Sequence, residues 1–395
     1  MKEKYCIFFY LFLDWDLPYF TMREFIKAIA KEVYPNKVVC INRPGDLIVC
    51  LLKNKNRLLT SFYPNNIRYI TDNLILFRPL YFINDCLGSW LPFVNQWQTL
   101  WLRIMLRRMG FLSQGEKVVT WLFSSIHWPF AELFPSASVV YHPMDENTVS
   151  FDGYPNPRAI EIEKKMMQRC QTVFTLNESL TQRKRQMHSN VHTLGLGVDA
   201  ELFSQALAPH REIPLEIEQI PRPRIGLVGN LRSWIDFPLV ESILQRHPDW
   251  SVIFIGPQDP SAVASMEIMG RYRNFFWLGP KPYSDLYLWL KGLDVGIIPY
   301  QETEFTRFVN PYKIYEYWAA GLPVITTRIG GFESKPNCLW VSDASERFMD
   351  NIAQALNDKE ASAKAKRLEL ARAHSWESIA KRALKILNIP NTENS

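Results

Sequence analysis

The residue types best suited to hold a charged ligand lie together in one short segment of the C-terminal half. Asn310 and Pro311 are favourable for the first positions of a helix, and Gly321 is typical of a helix end. Lys313 would then stand in the first turn, where backbone N–H groups have no partner within the helix. The segment therefore predicts a helix over 311–320 whose start, together with Lys313, binds an anion.

A carboxylate one turn further along the same helix adds a second kind of contact. Glu316 follows Lys313 by three residues, and its oxygens could accept hydrogen bonds from the two hydroxyls of a ribose. An anion site beside a ribose site indicates a nucleotide diphosphate. The residues alone support another interpretation equally well, in which this is a capped core helix with a lysine on its surface.

The segment from Asn310 to Thr326 resembles the donor-site helix of GT-B glycosyltransferases of the family 4 kind, in particular their bacterial exopolysaccharide and teichuronic-acid branch. The likeness continues in other segments of the same half, at 225–236, 248–257, 276–283 and 294–300. It covers 224–341 strongly and 137–205 moderately, and it is weak before residue 130.

The resemblance implies the GT-B fold, an α/β architecture of two Rossmann-like domains whose parallel sheets face each other across a cleft. It also implies a hexosyltransferase that moves a sugar from a UDP- or GDP-linked donor to a glycan or a lipid-linked glycan in cell-surface polysaccharide synthesis. No cofactor and no metal are expected. A catalytically silent GT-B protein that binds a glycan or nucleotide, and a nucleotide-sugar epimerase, are the alternatives.

Carried over residue by residue, the resemblance assigns the donor contacts to the C-terminal half. The donor-binding residues would be Gly229, Asn230, Arg232, Lys281, Asn310, Lys313 and Glu316. The chain departs from the family at Phe308, which stands where the first of two glutamates is expected, and no clear lysine follows Arg232. These departures weaken the expectation of a retaining mechanism. An NAD dehydrogenase is disfavoured, because the Gly-x-Gly-x-x-Gly spacing is missing.

An inverting transfer needs a base for the acceptor hydroxyl, and this base should come from the N-terminal half. Asp145 is the first candidate, because it follows a predicted strand at the end where α/β sites are built. His127 is the second, although a single histidine can equally be structural. Asp14 and Asp16 follow the first predicted strand and would either contact the acceptor or cap the next helix.

Two series of alternating strands and helices would position these residues. The predicted strands are 5–13, 37–42, 46–52, 117–123, 138–142, 172–176 and 190–194, then 224–229, 251–256, 274–278, 294–299, 323–327 and 339–341. Most are continuous apolar runs, as expected for parallel strands buried on both faces. Four prolines between 205 and 224 indicate a domain boundary.

The predicted organisation has three parts. Residues 1–205 would form the acceptor-binding domain and 206–374 the nucleotide-sugar-binding domain. The resemblance implies that 375–395 form a C-terminal helix that crosses back to the first domain. Residues 1–205 contain 23 Lys/Arg and 18 Asp/Glu, so the whole net charge of +5 belongs to this half.

The composition excludes several classes of protein. With 47% hydrophobic and 22% charged residues, the 395-residue chain is an ordinary folded protein, and a net charge of +5 is too small to indicate nucleic acid. The six cysteines form no CxxC pair, so a zinc site of that type is not expected. Six cysteines in 395 residues are also no disulfide framework, so a cytoplasmic location is expected. No stretch is apolar for long enough to span a membrane, and the first apolar run fits a strand better than a signal peptide.

Residues 75–112 combine aromatic and basic side chains. They include Phe77, Tyr81, Phe82, Trp90, Phe93, Trp97, Trp101, Arg103, Arg107 and Arg108. Trp97, Trp101 and Met105 recur every four residues and would share one face of a helix. This face fits either contact with the inner face of a membrane or packing of an amphipathic helix on its own domain.

Overall fold

The computed structural model describes residues 3–17, 20–42, 45–46, 67–81, 92–113, 115–150, 154–358 and 360–391. These residues form two compact units. The first unit contains the described residues of Met1–Ser150, Tyr154–Leu194 and Ala380–Ser395, and the second unit those of Gly195–Ile379. Most of the predicted strand 46–52, together with Phe82 and Trp90, lies outside the described residues.

An eight-stranded sheet forms the centre of the first unit, with the strand order β10-β9-β8-β7-β1-β2-β5-β4. All neighbouring strands are parallel except β4 and β5. The strands of the unit, including the separate pair β3 and β6, are β1 (Tyr5–Tyr10), β2 (Lys37–Ile41), β3 (Gly45–Asp46), β4 (Ile67–Tyr69), β5 (Leu74–Phe77), β6 (Leu80–Tyr81), β7 (Lys117–Leu122), β8 (Ser138–Tyr141), β9 (Thr172–Thr175) and β10 (Val191–Thr193).

Helices cover both faces of this sheet, as its apolar strands require. They are α1 (Met22–Glu32), α2 (Pro92–Arg108), α3 (Pro157–Arg169) and α4 (Glu178–Arg185), with a 3₁₀ helix at Ser125–Glu132. Every residue of β1 is buried. On one face Phe9 packs against Phe25 of α1 and against Trp121, while Phe8 and Tyr10 of the other face belong to the main hydrophobic core. Much of the aromatic content therefore forms the core.

The second unit contains a six-stranded parallel sheet with the order β13-β12-β11-β14-β15-β16. Its strands are β11 (Arg224–Val228), β12 (Ser251–Ile255), β13 (Phe275–Trp277), β14 (Val295–Ile298), β15 (Val324–Thr327) and β16 (Leu339–Ser342). The order reverses between β11 and β14. In open α/β sheets, ligands bind beyond the carboxyl ends of the strands at such a reversal.

The remaining helices connect these strands and extend beyond them. They are α5 (Ala200–Ser204), α6 (Leu215–Glu218), α7 (Phe237–Arg246), α8 (Val263–Met269), α9 (Leu286–Lys291), α10 (Lys313–Ala319), α11 (Ser345–Asn357), α12 (Ala361–Ala373) and α13 (Trp376–Ile386). The division between the units falls at 194/195 and, inside α13, at 379/380. The predicted borders lie at 205/206 and 374/375.

Apart from 46–52, most of which lies outside the described residues, the predicted strands are confirmed, but the short β4, β5 and β6 were not predicted. β4 pairs in the antiparallel direction at the edge of the sheet, and two of its three residues are exposed. The exposed β4 lacks the apolar run that identifies the central strands, and β5 is buried but only four residues long.

Candidate functional site

The carboxyl ends of β11 and β14 bring several predicted donor residues together. Gly229 directly follows β11, and its backbone has a φ of +127°. A Cβ atom placed on Gly256, after β12, would lie 2.0 Å from the Gly229 carbonyl oxygen. No side chain fits between these two loops, so their backbones approach each other closely at the end of β11.

Lys313, the first residue of α10, lies against this glycine. A Cβ atom on Gly229 would be 2.8 Å from the Lys313 Nζ atom. The ammonium donates a hydrogen bond of 2.6 Å to the hydroxyl of Tyr300, which follows β14. The reversal of strand order is therefore occupied by a cation that still has donors free for a ligand.

The strand and the helix that form this site are joined by a side chain. Tyr317 of α10 is fully buried, and its hydroxyl accepts a hydrogen bond of 2.8 Å from the Val228 amide. The same hydroxyl lies 3.3 Å from the Gly226 carbonyl oxygen, to which it donates. This link fixes Lys313 and Glu316, which lie on α10, relative to the end of β11.

The start of α10 differs from the prediction. The helix begins at Lys313 and not at Pro311, and Asn310 does not cap it. The Asn310 Oδ1 atom instead accepts a hydrogen bond of 3.1 Å from the Tyr315 hydroxyl. The prediction of Asn310 as N-cap is therefore wrong, because a tyrosine one turn later takes its side-chain oxygen; a role of Asn310 in donor binding stays a prediction.

Glu316 is buried beside Lys313. Burial raises the pKa of its carboxyl group to about 7, although the Lys313 charge and a hydrogen bond from the Tyr283 hydroxyl both act in the opposite direction. Asp199, which caps α5, also lies close enough to Tyr283 to raise the pKa of that phenol, after burial and Glu316 itself. Glu316 therefore changes its protonation state near neutral pH.

Arg232 lies in the loop that follows Gly229. Its Nε atom is 3.1 Å from the Asp259 Oδ2 atom, and its guanidinium group lies 5.1 Å from the centre of the Trp234 ring. Hydrogen bonds from Ser261, followed by the Arg232 charge, hold the pKa of Asp259 below its ordinary value. Asn230 precedes Arg232 and is exposed.

Lys281, another predicted donor residue, contacts residues outside the predicted donor set, and its role in donor binding stays a prediction. Its Nζ atom lies 2.5 Å from the Glu216 Oε2 atom and 4.0 Å from the centre of the Trp289 ring. These are its contacts within the described part of the chain, and none of them is with another predicted donor residue.

In the first unit, Asp145 follows β8 as predicted. The residue is exposed, but the protein around it reduces the hydration of the carboxyl group, and this desolvation raises its pKa to about 6. The carboxyl group remains mostly ionised at neutral pH.

A buried network of charges lies next to Asp145. Lys184 of α4 is fully buried, and its Nζ atom lies 2.9 Å from Glu146 and 2.7 Å from Glu163 of α3. The Tyr141 hydroxyl donates a hydrogen bond of 2.8 Å to Glu163. Burial tends to raise the pKa of Glu146, but the Lys184 charge and hydrogen bonds from Thr148 outweigh it and lower the pKa.

His127 lies in the 3₁₀ helix after β7. Its ring is buried, with its centre 4.5 Å from that of Tyr10 and 6.1 Å from that of Phe130. The histidine is therefore packed among aromatic rings of the core, whereas Asp145 is accessible to a ligand.

Asp14 and Asp16 are each paired with an arginine. The Asp14 Oδ2 atom lies 2.5 Å from Arg78, and the Asp16 Oδ1 atom lies 2.7 Å from Arg68. The start of α1, at Thr21, has no side-chain cap, so neither aspartate caps that helix. The predicted acceptor contact of these residues stays a prediction.

Comparisons with known proteins agree with this geometry. Residues 222–358 match the family model of Glycosyl transferases group 1. A Bacillus subtilis protein described as a teichuronic acid biosynthesis glycosyltransferase is 28% identical over 172 residues, which make up 42% of this chain and 43% of the relative. The chain thus matches less than half the length of this curated relative.

Solved structures resemble the chain over nearly its full length. Sucrose-phosphate synthase from Thermosynechococcus elongatus has a TM-score of 0.70 at 13% identity, with 98% of each chain covered. The chain has the GT-B glycosyltransferase fold. HepE of Anabaena, solved in complex with UDP and glucose, also has this fold, with a TM-score of 0.64 at 14% identity over 97% of this chain and 99% of HepE. The predicted resemblance and fold class are confirmed.

Helix α2 of this GT-B protein shows both of the properties that the sequence allowed. Leu102 and Leu106 are fully buried, and Arg103 donates hydrogen bonds to the carbonyl groups of Glu132 and Leu133. The opposite side exposes four large apolar side chains, with Trp97 71% exposed. These side chains, called the α2 stripe below, are Trp97, Leu100, Trp101 and Ile104. No described helix is long and apolar enough to cross a membrane.

Several residues of the site were not identified from the sequence. Tyr300 could have been, since it ends the segment 294–300 at the carboxyl end of a predicted strand. The contact of Tyr283 with Glu316 had no local signal, because 33 positions separate the two residues in the chain.

Within the described residues, no group of three or more His, Cys, Asp or Glu side chains is arranged to hold a metal ion.

Proposed function

We propose that this GT-B protein is a glycosyltransferase. It moves a sugar from a nucleotide diphosphate sugar to a glycan or lipid-linked glycan acceptor in the synthesis of a cell-surface polysaccharide. The observation that carries the proposal is the arrangement of Gly229, Lys313 and Glu316 at the reversal of strand order. A backbone without a side chain, a cation and a buried carboxylate match a diphosphate joined to a ribose.

The donor would bind with its diphosphate against Gly229. Lys313 and Arg232 offer charged hydrogen-bond donors to the phosphate oxygens. When the bond between the sugar and the diphosphate breaks, negative charge grows on the leaving oxygen, and these cations stabilise it. The proposal needs no resident metal ion, because two side-chain cations already serve the diphosphate.

Glu316 would accept hydrogen bonds from the ribose. The Tyr283 hydroxyl already donates to this carboxylate, which leaves its other lone pairs for the ligand. A uridine nucleotide is supported by HepE, a structural neighbour solved with UDP and glucose. A guanosine nucleotide is the second choice, and a ligand panel distinguishes the two.

The acceptor side of the reaction is assigned to the first unit. In an inverting transfer, Asp145 takes the proton of the acceptor hydroxyl. The oxygen of that hydroxyl bonds to the anomeric carbon, and the bond between the sugar and the nucleoside diphosphate breaks. A base with a pKa near 6 is ionised at neutral pH and suits this step. Asp14 and Asp16 would accept hydrogen bonds from other acceptor hydroxyls, and His127 remains the second candidate base.

The proposed donor site can be tested by thermal shift. UDP, GDP, ADP and dTDP, each with and without glucose attached, would be added to the protein. One base is expected to raise the melting temperature selectively. Lys313→Met and Glu316→Gln should remove the shift, whereas Lys366→Met, at an exposed position of α12, should keep it. A wild-type protein that responds to none of these ligands would contradict the proposal.

A silent binding protein is the second candidate, because Phe308 replaces the first expected glutamate. Phe308 is almost fully buried in the 3₁₀ helix Thr306–Phe308 and offers no charge to a donor. The stabilising donor would be incubated with the protein, and release of free sugar would be measured. Binding without any hydrolysis or transfer would favour the silent protein.

We also propose that the protein works at the cytoplasmic side of a membrane, which it touches through the α2 stripe. Trp97 and Trp101 are exposed, and Arg107 and Arg108 follow in the last turn of α2. Tryptophan with arginine is typical of side chains that lie at a lipid surface. A lipid-linked acceptor would be presented at such a surface.

Flotation with anionic liposomes at low salt tests this contact. The wild-type protein should move with the vesicles, and a Trp97→Ser/Trp101→Ser variant should not. Tyr154→Ser is the control, because Tyr154 is 72% exposed and lies outside α2. Equal flotation of the wild-type protein and the tryptophan variant would show that the α2 stripe is not the contact.

A further inference from the structure

We propose that Trp234 and Tyr300 act as positioning residues that hold Arg232 and Lys313 at a fixed spacing for a diphosphate. We call this pair the aromatic seat. The two rings pack with 6.1 Å between their centres. Each contacts one of the two cations, so an uncharged surface separates two positive groups. The inference rests on the proposed donor site, and it names what gives that site its preference for two phosphates.

Lys313 contacts the seat through a hydroxyl group. Its Nζ atom lies 2.6 Å from the Tyr300 oxygen and 5.1 Å from the centre of that ring. The two distances together place the ammonium beyond the hydroxyl and close to the ring plane, so the contact is a hydrogen bond and not a stacking of charge on the ring face. One of the three ammonium donors is used in this way, and the others remain for a ligand.

Arg232 contacts the seat through a ring face. Its guanidinium carbon lies 5.1 Å from the centre of the Trp234 ring, within the range of a cation–π contact. Asp259 holds the Nε side of the same group at 3.1 Å. The ring and the carboxylate lie near the guanidinium carbon and the Nε atom, so the terminal N–H donors of Arg232 remain for a ligand.

The backbone fixes the seat from both sides. The Asp236 amide donates to the Pro299 carbonyl at 2.7 Å, and the Gln301 amide donates to the Trp234 carbonyl at 2.8 Å. These bonds join the loop after β11 to the loop after β14. Thr327 of β15 completes the frame, since its hydroxyl donates to the Tyr300 carbonyl at 2.6 Å. These hydrogen bonds hold the two loops together, and the loops carry the two rings that contact the cations.

This arrangement has a specific consequence for binding. Two cations repel each other, and flexible side chains would separate in the absence of a ligand. The seat opposes that separation without adding a negative charge that would compete with the phosphates. A nucleoside diphosphate can use both cations, whereas the monophosphate of the same base has one phosphate fewer. The seat should thus affect the diphosphate and leave the monophosphate almost unchanged.

The test compares the dissociation constants of a nucleoside diphosphate and its monophosphate by calorimetry, for the base chosen by the wild-type protein. Tyr300→Phe keeps the ring and removes the hydroxyl. We expect it to weaken diphosphate binding about tenfold, the effect of one charge-assisted hydrogen bond, and monophosphate binding less than about twofold. Trp234→Leu should also weaken diphosphate binding selectively.

A double-mutant cycle distinguishes positioning from general stability. If Tyr300 acts through Lys313, Tyr300→Phe should have little further effect in a Lys313→Met background. Tyr272→Phe and Trp250→Leu are matched controls, because both positions precede their strands, at the opposite ends from the site. Both controls should bind the diphosphate like the wild-type protein.

The outcomes separate the inference from the proposed function. A wild-type protein that binds no nucleoside diphosphate would contradict the proposed function, and the seat with it. A wild-type protein that binds while Tyr300→Phe binds equally well would overturn the seat alone. Equal losses for diphosphate and monophosphate, or an undiminished loss in the Lys313→Met background, would also overturn it, since Tyr300 would then have only a structural role.

Discussion

The two parallel sheets of this protein end in different charge environments. At the carboxyl ends of β11 and β14, Lys313 and Arg232 retain donors for a ligand. In the first unit the strand order reverses between β1 and β7, and there the carboxylates already have cations, as in the pairs of Asp14 with Arg78 and Asp16 with Arg68.

The difference matches the charges of the proposed substrates. A diphosphate brings negative charge and needs cations with hydrogen-bond donors left for it, as Lys313 has and as Arg232 has beyond its ion pair with Asp259. A glycan is uncharged at the reacting hydroxyl and needs hydrogen-bond acceptors together with one base. Asp145 fits the base, because no described side chain pairs with it and its pKa lies near 6. Three changes would weaken or refine this comparison, beginning with the largest expected effect.

Replacement of the proposed base should have the largest effect. Asp145→Asn is expected to lower acceptor-dependent turnover by about 10²–10⁴-fold, the usual contribution of a general base. Wild-type turnover should rise as the pH passes about 6, since the carboxyl group must lose its proton, and the variant should lack this rise. Initial rates between pH 5 and 8 measure both effects.

Nucleotide binding by the Asp145→Asn variant should not change. Asp72→Asn is the matched control, because Asp72 lies on an exposed turn of the same unit. A variant with normal turnover would remove Asp145 from the mechanism and direct attention to His127.

Loss of the buried lysine should chiefly affect stability. Lys184→Met would leave Glu146 and Glu163 without their shared cation in a buried position. Removing one partner of a buried ion pair costs about 3–5 kcal/mol, so the free energy of unfolding should fall by that amount. Denaturant unfolding measures it, with Arg185→Met as an exposed neighbour that should change stability by less than about 0.5 kcal/mol. A loss as small as that of the control would show that Arg183, whose Nε atom lies 3.1 Å from the Glu146 Oε2 atom, or water compensates the carboxylates.

The pH should act in opposite directions on donor binding and on stability. Glu316 must be ionised to accept hydrogen bonds from ribose, so the donor should bind more tightly as the pH rises through about 7. The unliganded protein should lose stability as the pH rises from about 4.5 to about 7, because the folded state keeps the Glu316 proton that the unfolded chain has already lost.

Calorimetry and denaturant titrations between pH 5 and 8 would check both trends. Glu316→Gln should flatten the two profiles together, whereas Glu346→Gln, at an exposed position of α11, should leave them unchanged. A flat profile of donor affinity in the wild-type protein would contradict an ionised Glu316 in the site.

The parts of the site that the sequence predicted are those that follow directly from strand ends. Gly229 ends a predicted strand, Asp145 follows another, and Lys313 and Glu316 lie in the first turns of a predicted helix; the structure places them close to these positions. The N-cap role of Asn310 was wrong because a side chain from the helix itself, Tyr315, competes for its oxygen. The sequence pattern of a helix N-terminus does not show whether another side chain will bond the oxygen of the capping residue.

Long-range partners could not be predicted in the same way. Glu146, Glu163 and Lys184 lie in three separate elements, and their pairing depends on how α3 and α4 pack on the sheet. Lys281 was predicted to contact the donor, but it forms an ion pair with Glu216, which lies 65 positions away in the chain. A single sequence does not show which charged residues pair with each other in the folded protein.

The hydroxyl of Tyr317 has a consequence for how this site can be observed. It accepts a hydrogen bond from the Val228 amide, so that a strand amide at the edge of the site is protected by a side chain of α10. Exchange of this amide with deuterium requires α10 to move away from the sheet. Its exchange rate therefore reports how often the proposed nucleotide site opens, and a bound nucleotide that contacts α10 should slow it.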